Sequence, residues 1–298
     1  MKPAADSAPR RGAEIVDKAQ HPLREMVVMF LANRAAMVAS IVLSIVVLAA
    51  IFGPMLHPVD PFEMVWAPFT PPGQDGFVLG TDYLGRDMLA ALLNGGRVSL
   101  TIGLVAALMS VFIGISFGAL AGFYRGLVEE VLMRITEFFQ VLPTLLFSMV
   151  IVALFGASLE VVTIAIGVVS WTAVARITRA EFLRIRELEY VTASRAAGAS
   201  NVTLMTRVIL PNALPPIIVQ AVLMVGSAIL FEAGLAFLGL SDPNVVSWGQ
   251  IIGSNRPYIL DAGFTVTIPG LAIFVTVLSI SLIGDGLNDA LNPKLRAR

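Results

Sequence analysis

Five stretches of this chain run for 22 or more residues without a charge, and that pattern restricts the fold more than anything else in the sequence. Residues 35–59 give 25 uncharged positions, 98–124 give 27, 138–159 give 22, 208–231 give 24 and 262–284 give 23. Each exceeds the roughly 20 residues a helix needs to cross a hydrocarbon layer about 30 Å thick. A sixth run, 161–175, has 15. It spans if Glu160 and Arg176 stand at the two interfaces and the helix continues towards Arg179. The first run starts too late and is too long for a cleavable signal peptide, so it is expected to remain as a span. The pattern predicts an all-α polytopic membrane protein with six transmembrane helices.

Composition agrees. Of 298 residues, 57% are hydrophobic and 14% charged, little more than half the charge density of an average soluble domain. The net charge is −1 and no basic stripe is present, so no nucleic-acid partner is expected. Cysteine is absent, which excludes disulfides and thiolate metal centres. The two histidines, His21 and His57, lie outside the long apolar runs, so no metal site is expected.

With six spans, the two tails and the 125–134 and 176–207 loops share one side. They hold 17 of the 20 Lys and Arg residues, leaving Arg86, Arg97 and Arg256 opposite. Positive loops stay in the cytoplasm, which predicts cytoplasmic N- and C-termini. The organisation read from this is a tail and amphipathic interfacial helix over 1–34, a first span over 35–56 and a periplasmic segment over 57–97. A transmembrane core follows over 98–286, containing a cytoplasmic loop at 177–211, and a cytoplasmic tail occupies 287–298. In 23–34, Leu23, Met26, Val27, Phe30 and Leu31 recur at helical spacing, as in a helix lying on the inner surface of the lipid bilayer. Gly114, Gly118 and Gly122 repeat every four residues, a face suited to close helix packing.

The 177–211 loop is long and organised. Glu181 to Ala197 has no Gly or Pro and predicts a helix, with Gly198 as its stop. Ser200 or Asn201 caps a second short helix. Pro211 marks the return to the membrane, with Pro215 and Pro216 in a first helical turn. Ala193, Ala196 and Ala197 form a small-residue face fitted to docking on this chain or on a partner. In the outer segment, Thr81 or Asp82 is expected to cap a short helix, and Asp87 to cap Met88–Leu93 before Gly95-Gly96 breaks it. For Asp82, Arg86 and Asp87, tying this turn together competes with contacting substrate.

EYVTASRAAGAS (189–200) followed by RVILPNALPP (207–216) resembles the cytoplasmic signature of binding-protein-dependent ABC importer permeases. Gly198 and Ile209-Leu210-Pro211 match it, whereas the expected Glu-Ala-Ala triplet is Thr192-Ala193-Ser194. Either Glu189 or Thr192 stands in for the missing glutamate. LGTDYLGRDMLAALLNGGRVSL (79–100), FEAGLAFLGLSDPNVVSWG (231–249) and IGDGLNDALNPKL (283–295) resemble the dipeptide, oligopeptide and nickel subfamily, specifically the second permease of the pair. An aromatic pair usual before the last span is replaced by Phe264-Thr265-Val266.

The resemblance implies a type I ABC importer permease fold in a prokaryotic inner membrane. It implies four kinds of partner surface: a homologous permease, two ABC ATPase subunits that carry the ATP and Mg, an extracytoplasmic solute-binding protein, and lipid. Glu189, Tyr190, Thr192, Ala193, Ser194, Ala197 and Gly198 would form the ATPase-coupling helix, and Thr81, Asp82, Gly85, Arg86 and Asp87 the periplasmic motif. Di- or oligopeptides are the expected substrate, with nickel chelates or opines as alternatives. The chain itself is expected to be neither an enzyme nor a cofactor binder: no Gly-x4-Gly-Lys-Ser/Thr is present, and its lysines are Lys2, Lys18 and Lys294. A secondary transporter is the competing class. It requires intramembrane ionisable groups, and Glu232 is the one clear candidate for the pathway, more simply read as an interhelical hydrogen-bonding residue.

Overall fold

A computed structural model describes residues 22–291 as helices α1 (Pro22–Ala32), α2 (Arg34–Leu56), α3 (Met88–Tyr124), α4 (Gly126–Val141), α5 (Thr144–Phe155), α6 (Leu159–Ser170) and α7 (Thr172–Ile185). Then follow α8 (Glu189–Ala196), α9 (Asn201–Thr203), a π-helical turn (Leu204–Ile209), α10 (Leu210–Phe237), α11 (Trp248–Asn255) and α12 (Phe264–Leu291). Five runs are long and apolar enough to cross a membrane: 34–56, 88–124, 159–185, 201–237 and 264–291. A sixth is added if α4 and α5, bent by 87°, count as one. Apolar side chains such as Val38, Ile41, Ile45, Leu48 and Phe52 stand exposed along α2, which suits lipid and not water.

The glycine face is a seam. A Cβ on Gly114 would lie 2.5 Å from Val174 Cβ, and one on Gly118 only 2.3 Å from the Ala175 carbonyl oxygen. α3 and α7 therefore touch backbone to side-chain base over residues 114–122 of α3. Ser110 adds a hydrogen bond to the Gly167 carbonyl at 2.7 Å. Near Gly122, Phe182 and Ile185 join Val191, Leu204, Ile209 and Ala213 in a buried cluster. The start of α2 packs by Ala36 against Gly286 near the end of α12, whereas its far end at Gly53 meets Leu93 at the start of α3. Both ends of the described chain thus lie at the α8 end of the bundle.

α1 and α2 are separate helices, because Asn33 accepts the Ala36 N–H and starts α2 anew. Other expectations change. The 138–159 window is not one straight helix. Pro143 lacks an N–H and forces Leu142 into extended backbone, so the chain turns between α4 and α5. The short run 161–175 belongs to a 27-residue helical stretch, 159–185, whose start Ser158 caps at Val161 N. Gly95 and Gly96 do not break a helix. They lie inside α3, where a Cβ on Gly96 would meet Trp248 at 2.9 Å, so packing against Trp248 overrides the roughly 1 kcal/mol penalty of a helical glycine.

The helix expected over 181–197 is two helices, parted at Arg186–Leu188. Ile185 and Val191 both enter the same cluster, yet in a straight helix six positions would point them about 120° apart. The turn between them solves this, and Arg186 bonds the Phe123 carbonyl there. Pro211 does not mark a turn, and Pro215 and Pro216 do not open a helix: the chain is helical without a break from Asn201 to Phe237. The π-helical turn just before Pro211, in which Leu210 N–H reaches back to Met205 O, makes room where the proline ring crowds the preceding carbonyls. The 292–298 part of the predicted tail lies outside the described residues, as does 1–21.

Candidate functional site

α8 begins at Glu189 and ends where Gly198 adopts φ +87°. Nothing lies within 4 Å of the position a Gly198 side chain would take, so the backbone conformation, and not crowding, calls for glycine there. Val191 is fully buried and pins the helix to the core cluster. Glu189, Tyr190, Thr192, Ala193, Ala196 and Ala197 are exposed, and Ser194, half-buried, turns its hydroxyl back to the Tyr190 carbonyl at 2.8 Å. The small-residue face therefore points away from this chain. Glu189, in the first turn, makes no ion pair among the described residues. Ser200 caps α9 by accepting the Thr203 N–H.

At the far end, the 81–87 motif is a knot of turns and contains no helix. Thr81 donates to the Ala67 carbonyl at 2.7 Å and accepts the Thr70 N–H at 2.9 Å. Asp82 Oδ1 accepts the N–H groups of Leu84 and Arg86, and burial raises its carboxyl above the ordinary range, against those bonds and the nearby Arg86 charge. Gly85 has φ +77°, and a Cβ there would sit 2.0 Å from the Trp66 carbonyl oxygen. Arg86 lies 5.4 Å over the Phe62 ring. Asp87 caps α3 at Leu89 N, 2.7 Å, and its other oxygen meets His57 Nε2 at 2.6 Å. These contacts tie the motif to the 57–70 segment and to the start of α3.

Glu232, near the end of α10, is 3% exposed. Its Oε1 accepts the Ser247 hydroxyl at 2.5 Å, while Oε2 is buried with no hydrogen bond among the described residues. The void beside it, shared with Ser241 and Asp242, measures about 20 Å3, room for one water and not for a peptide. Sequence reasoning missed the rest of this junction. Trp248 N–H donates to Ser99 Oγ at 3.1 Å and its indole N–H to the Leu92 carbonyl at 2.9 Å, fastening α11 to α3. The clue was Trp248 just after the Ser241-Asp242-Pro243-Asn244 turn: a buried indole seeks an acceptor.

The sequence matches the family of binding-protein-dependent transport system inner membrane components over residues 114–297. It also matches the N-terminal transmembrane domain of oligopeptide transport permease C over residues 21–72. The chain is a binding-protein-dependent transport permease. Among curated permeases, it is 44% identical to a di/tripeptide transport system permease protein, DppC, of Pseudomonas aeruginosa, covering 92% of this chain and 93% of that one. It is 35% identical to the oligopeptide transport system permease protein OppC of Bacillus subtilis, covering 99% and 97%. The permease fold is matched in a solved structure of the MetNI methionine ABC transporter, in an inward-facing form. That match has a TM-score of 0.57 at 20% identity, over 69% of this chain and 98% of the other. These relatives are transport permeases and not enzymes, and this permease, with its several apolar helices, is a multi-pass membrane protein.

Proposed function

We propose that this permease is one of two homologous subunits forming the pathway of an ATP-driven peptide importer in a bacterial inner membrane. Its substrates are di- or oligopeptides, the cargo named for its curated relatives. Two ATPase subunits carry ATP and Mg and dock on the cytoplasmic α8 end, and a solute-binding protein delivers substrate at the 57–87 end. Six crossings support this orientation. α3 finishes beside Phe182 whereas α6 begins beside Asp242, whose carboxylate accepts the Leu159 N–H, so α4 and α5 carry the chain from one end to the other. The described chain ends then share the α8 side, in line with its positive loops.

The observation that carries the proposal is α8 itself: an exposed surface of Ala193, Ala196 and Ala197, fixed at its base by buried Val191. Small side chains let a partner approach closely, and the Glu189 carboxylate on the first turn, without an ion pair among the described residues, takes the part of the glutamate missing at Thr192. The test is co-purification of the ATPase pair with this chain and its partner permease, together with ATP turnover stimulated by loaded binding protein. Ala197→Trp is expected to leave the amount of membrane-inserted protein unchanged and to abolish stimulation. Normal stimulation in that variant would remove α8 from the contact.

A further inference from the structure

Between α3, α5, α6, α7 and α10 lies a cavity of about 230 Å3 that no predicted site residue touches. Its polar lining is Ser110, Thr144, Ser170, Thr172, Gln220 and Ser227, all uncharged. Ser170 Oγ is buried without a partner, and the side chains of Thr144, Thr172 and Gln220 make no hydrogen bond among the described residues. Ser110 and Ser227 donate to the carbonyls of Gly167 and Leu223, which leaves both oxygens free to accept. At membrane depth, polar groups without partners are costly, and an acyl chain offers them nothing. A peptide main chain offers N–H and C=O groups in alternation, whatever its side chains.

We propose that this cavity is this chain's wall of the translocation pathway and that it holds the peptide by its main chain. Gln220 Oε1, Ser110 and Ser227 accept peptide N–H groups. Gln220 Nε2, Ser170, Thr144 and Thr172 donate to peptide carbonyls and the terminal carboxylate. The absence of charge from the polar lining makes the wall indifferent to the charge of the peptide side chains. Its volume is below the roughly 300–1,000 Å3 of complete small-molecule sites, as fits one wall completed by the second permease. The assignment rests on the peptide-importer reading above.

The chain has no cysteine, so Ser227→Cys supplies a single thiol, with Leu104→Cys on the exposed apolar face of α3 as the lipid-facing control. Both are made in the full transporter in proteoliposomes and treated with a hydrophilic methanethiosulfonate. Ser227→Cys is expected to react at least tenfold faster than Leu104→Cys, to be protected severalfold during ATP-driven uptake, and to lose most uptake once modified. Gln220→Leu is expected to reduce uptake of Ala-Ala, Lys-Lys and Glu-Glu by similar factors while ATPase association stays normal. Equal labelling of the two thiols, unchanged uptake in Gln220→Leu, or a loss confined to one charge class would overturn the assignment. If the unsubstituted transporter takes up none of the three dipeptides and none of the corresponding tri- to pentapeptides while stimulated turnover persists, the peptide reading itself fails first, and the assignment falls with it.

Discussion

The Ser247 hydroxyl donates to Glu232 Oε1 at 2.5 Å and accepts the Gln250 N–H at 3.0 Å. One side chain thus caps α11 and supplies the hydrogen bond of a buried carboxyl. Ser247→Ala removes the cap and strands the acid, and is expected to destabilise the permease by roughly 1–3 kcal/mol. A lowered thermal midpoint in detergent, with intact expression, is the readout.

Glu232→Gln keeps an acceptor for Ser247 and removes any ionisable role. ATP-driven uptake is expected to stay within about twofold of the unsubstituted protein, since the void beside Glu232 holds no more than about one water. Complete loss of transport in this variant, with normal folding, would favour proton-coupled carriage instead.

At the glycine seam, Gly118→Val places a branched side chain where even a Cβ lies 2.3 Å from a carbonyl oxygen. α3 and α7 must separate, at a cost of about 1–3 kcal/mol or more. Reduced membrane levels and faster proteolysis are the expected outcome. Gly270→Val in α12, where no atom lies within 4 Å of the added Cβ, is the matched control and should be tolerated far better.

Much of this architecture was legible because it follows from periodicity. The charge-free windows marked the apolar runs, the four-residue glycine spacing marked the α3–α7 seam, and Asp87 and Ser200 fell where caps belong. What misled is equally physical. Gly95-Gly96 read as a break because local propensity carries no information about Trp248, 152 residues on from Gly96. Pro143 sat within an uncharged window, and counting charges ignores a missing N–H. Pro211 broke nothing, because the π-helical turn before it lies in its own helix. The polar lining of the cavity was invisible for a simpler reason: Ser110, Ser170 and Gln220 are ordinary residues until the fold gathers them.

Gly198→Val puts a β-branched residue at φ +87°, where about 1–2 kcal/mol of strain is expected. Gly198→Asn tolerates that conformation far better. The pair separates backbone shape from side-chain contact: reduced ATPase co-purification with valine and recovery with asparagine is the expected pattern. Equal losses in both would mean that the partner senses the side chain itself.

Asp82 gives a pH dependence of definite sign. Its folded carboxyl is raised by burial, so protonation favours the fold. Its stabilising share is full below the usual aspartate range and fades as pH rises through the elevated value. Asp82→Asn keeps the acceptor for Leu84 and Arg86 without the ionisation, and should flatten that slope and equal or exceed the native protein in stability near neutrality. Thermal unfolding followed from pH 4 to pH 8 distinguishes the two proteins.

The seam between α3 and α7 has a mechanical corollary. Gly114 and Gly118 leave no side-chain layer between the two helices, so they cannot slide past each other without a backbone collision. A push delivered to α8 enters at the Phe182–Val191 cluster, at the foot of that pair, and passes through the 114–122 contact as through a single strut. Any opening must therefore leave the 114–122 contact intact, and the 87° elbow between α4 and α5 lies outside it.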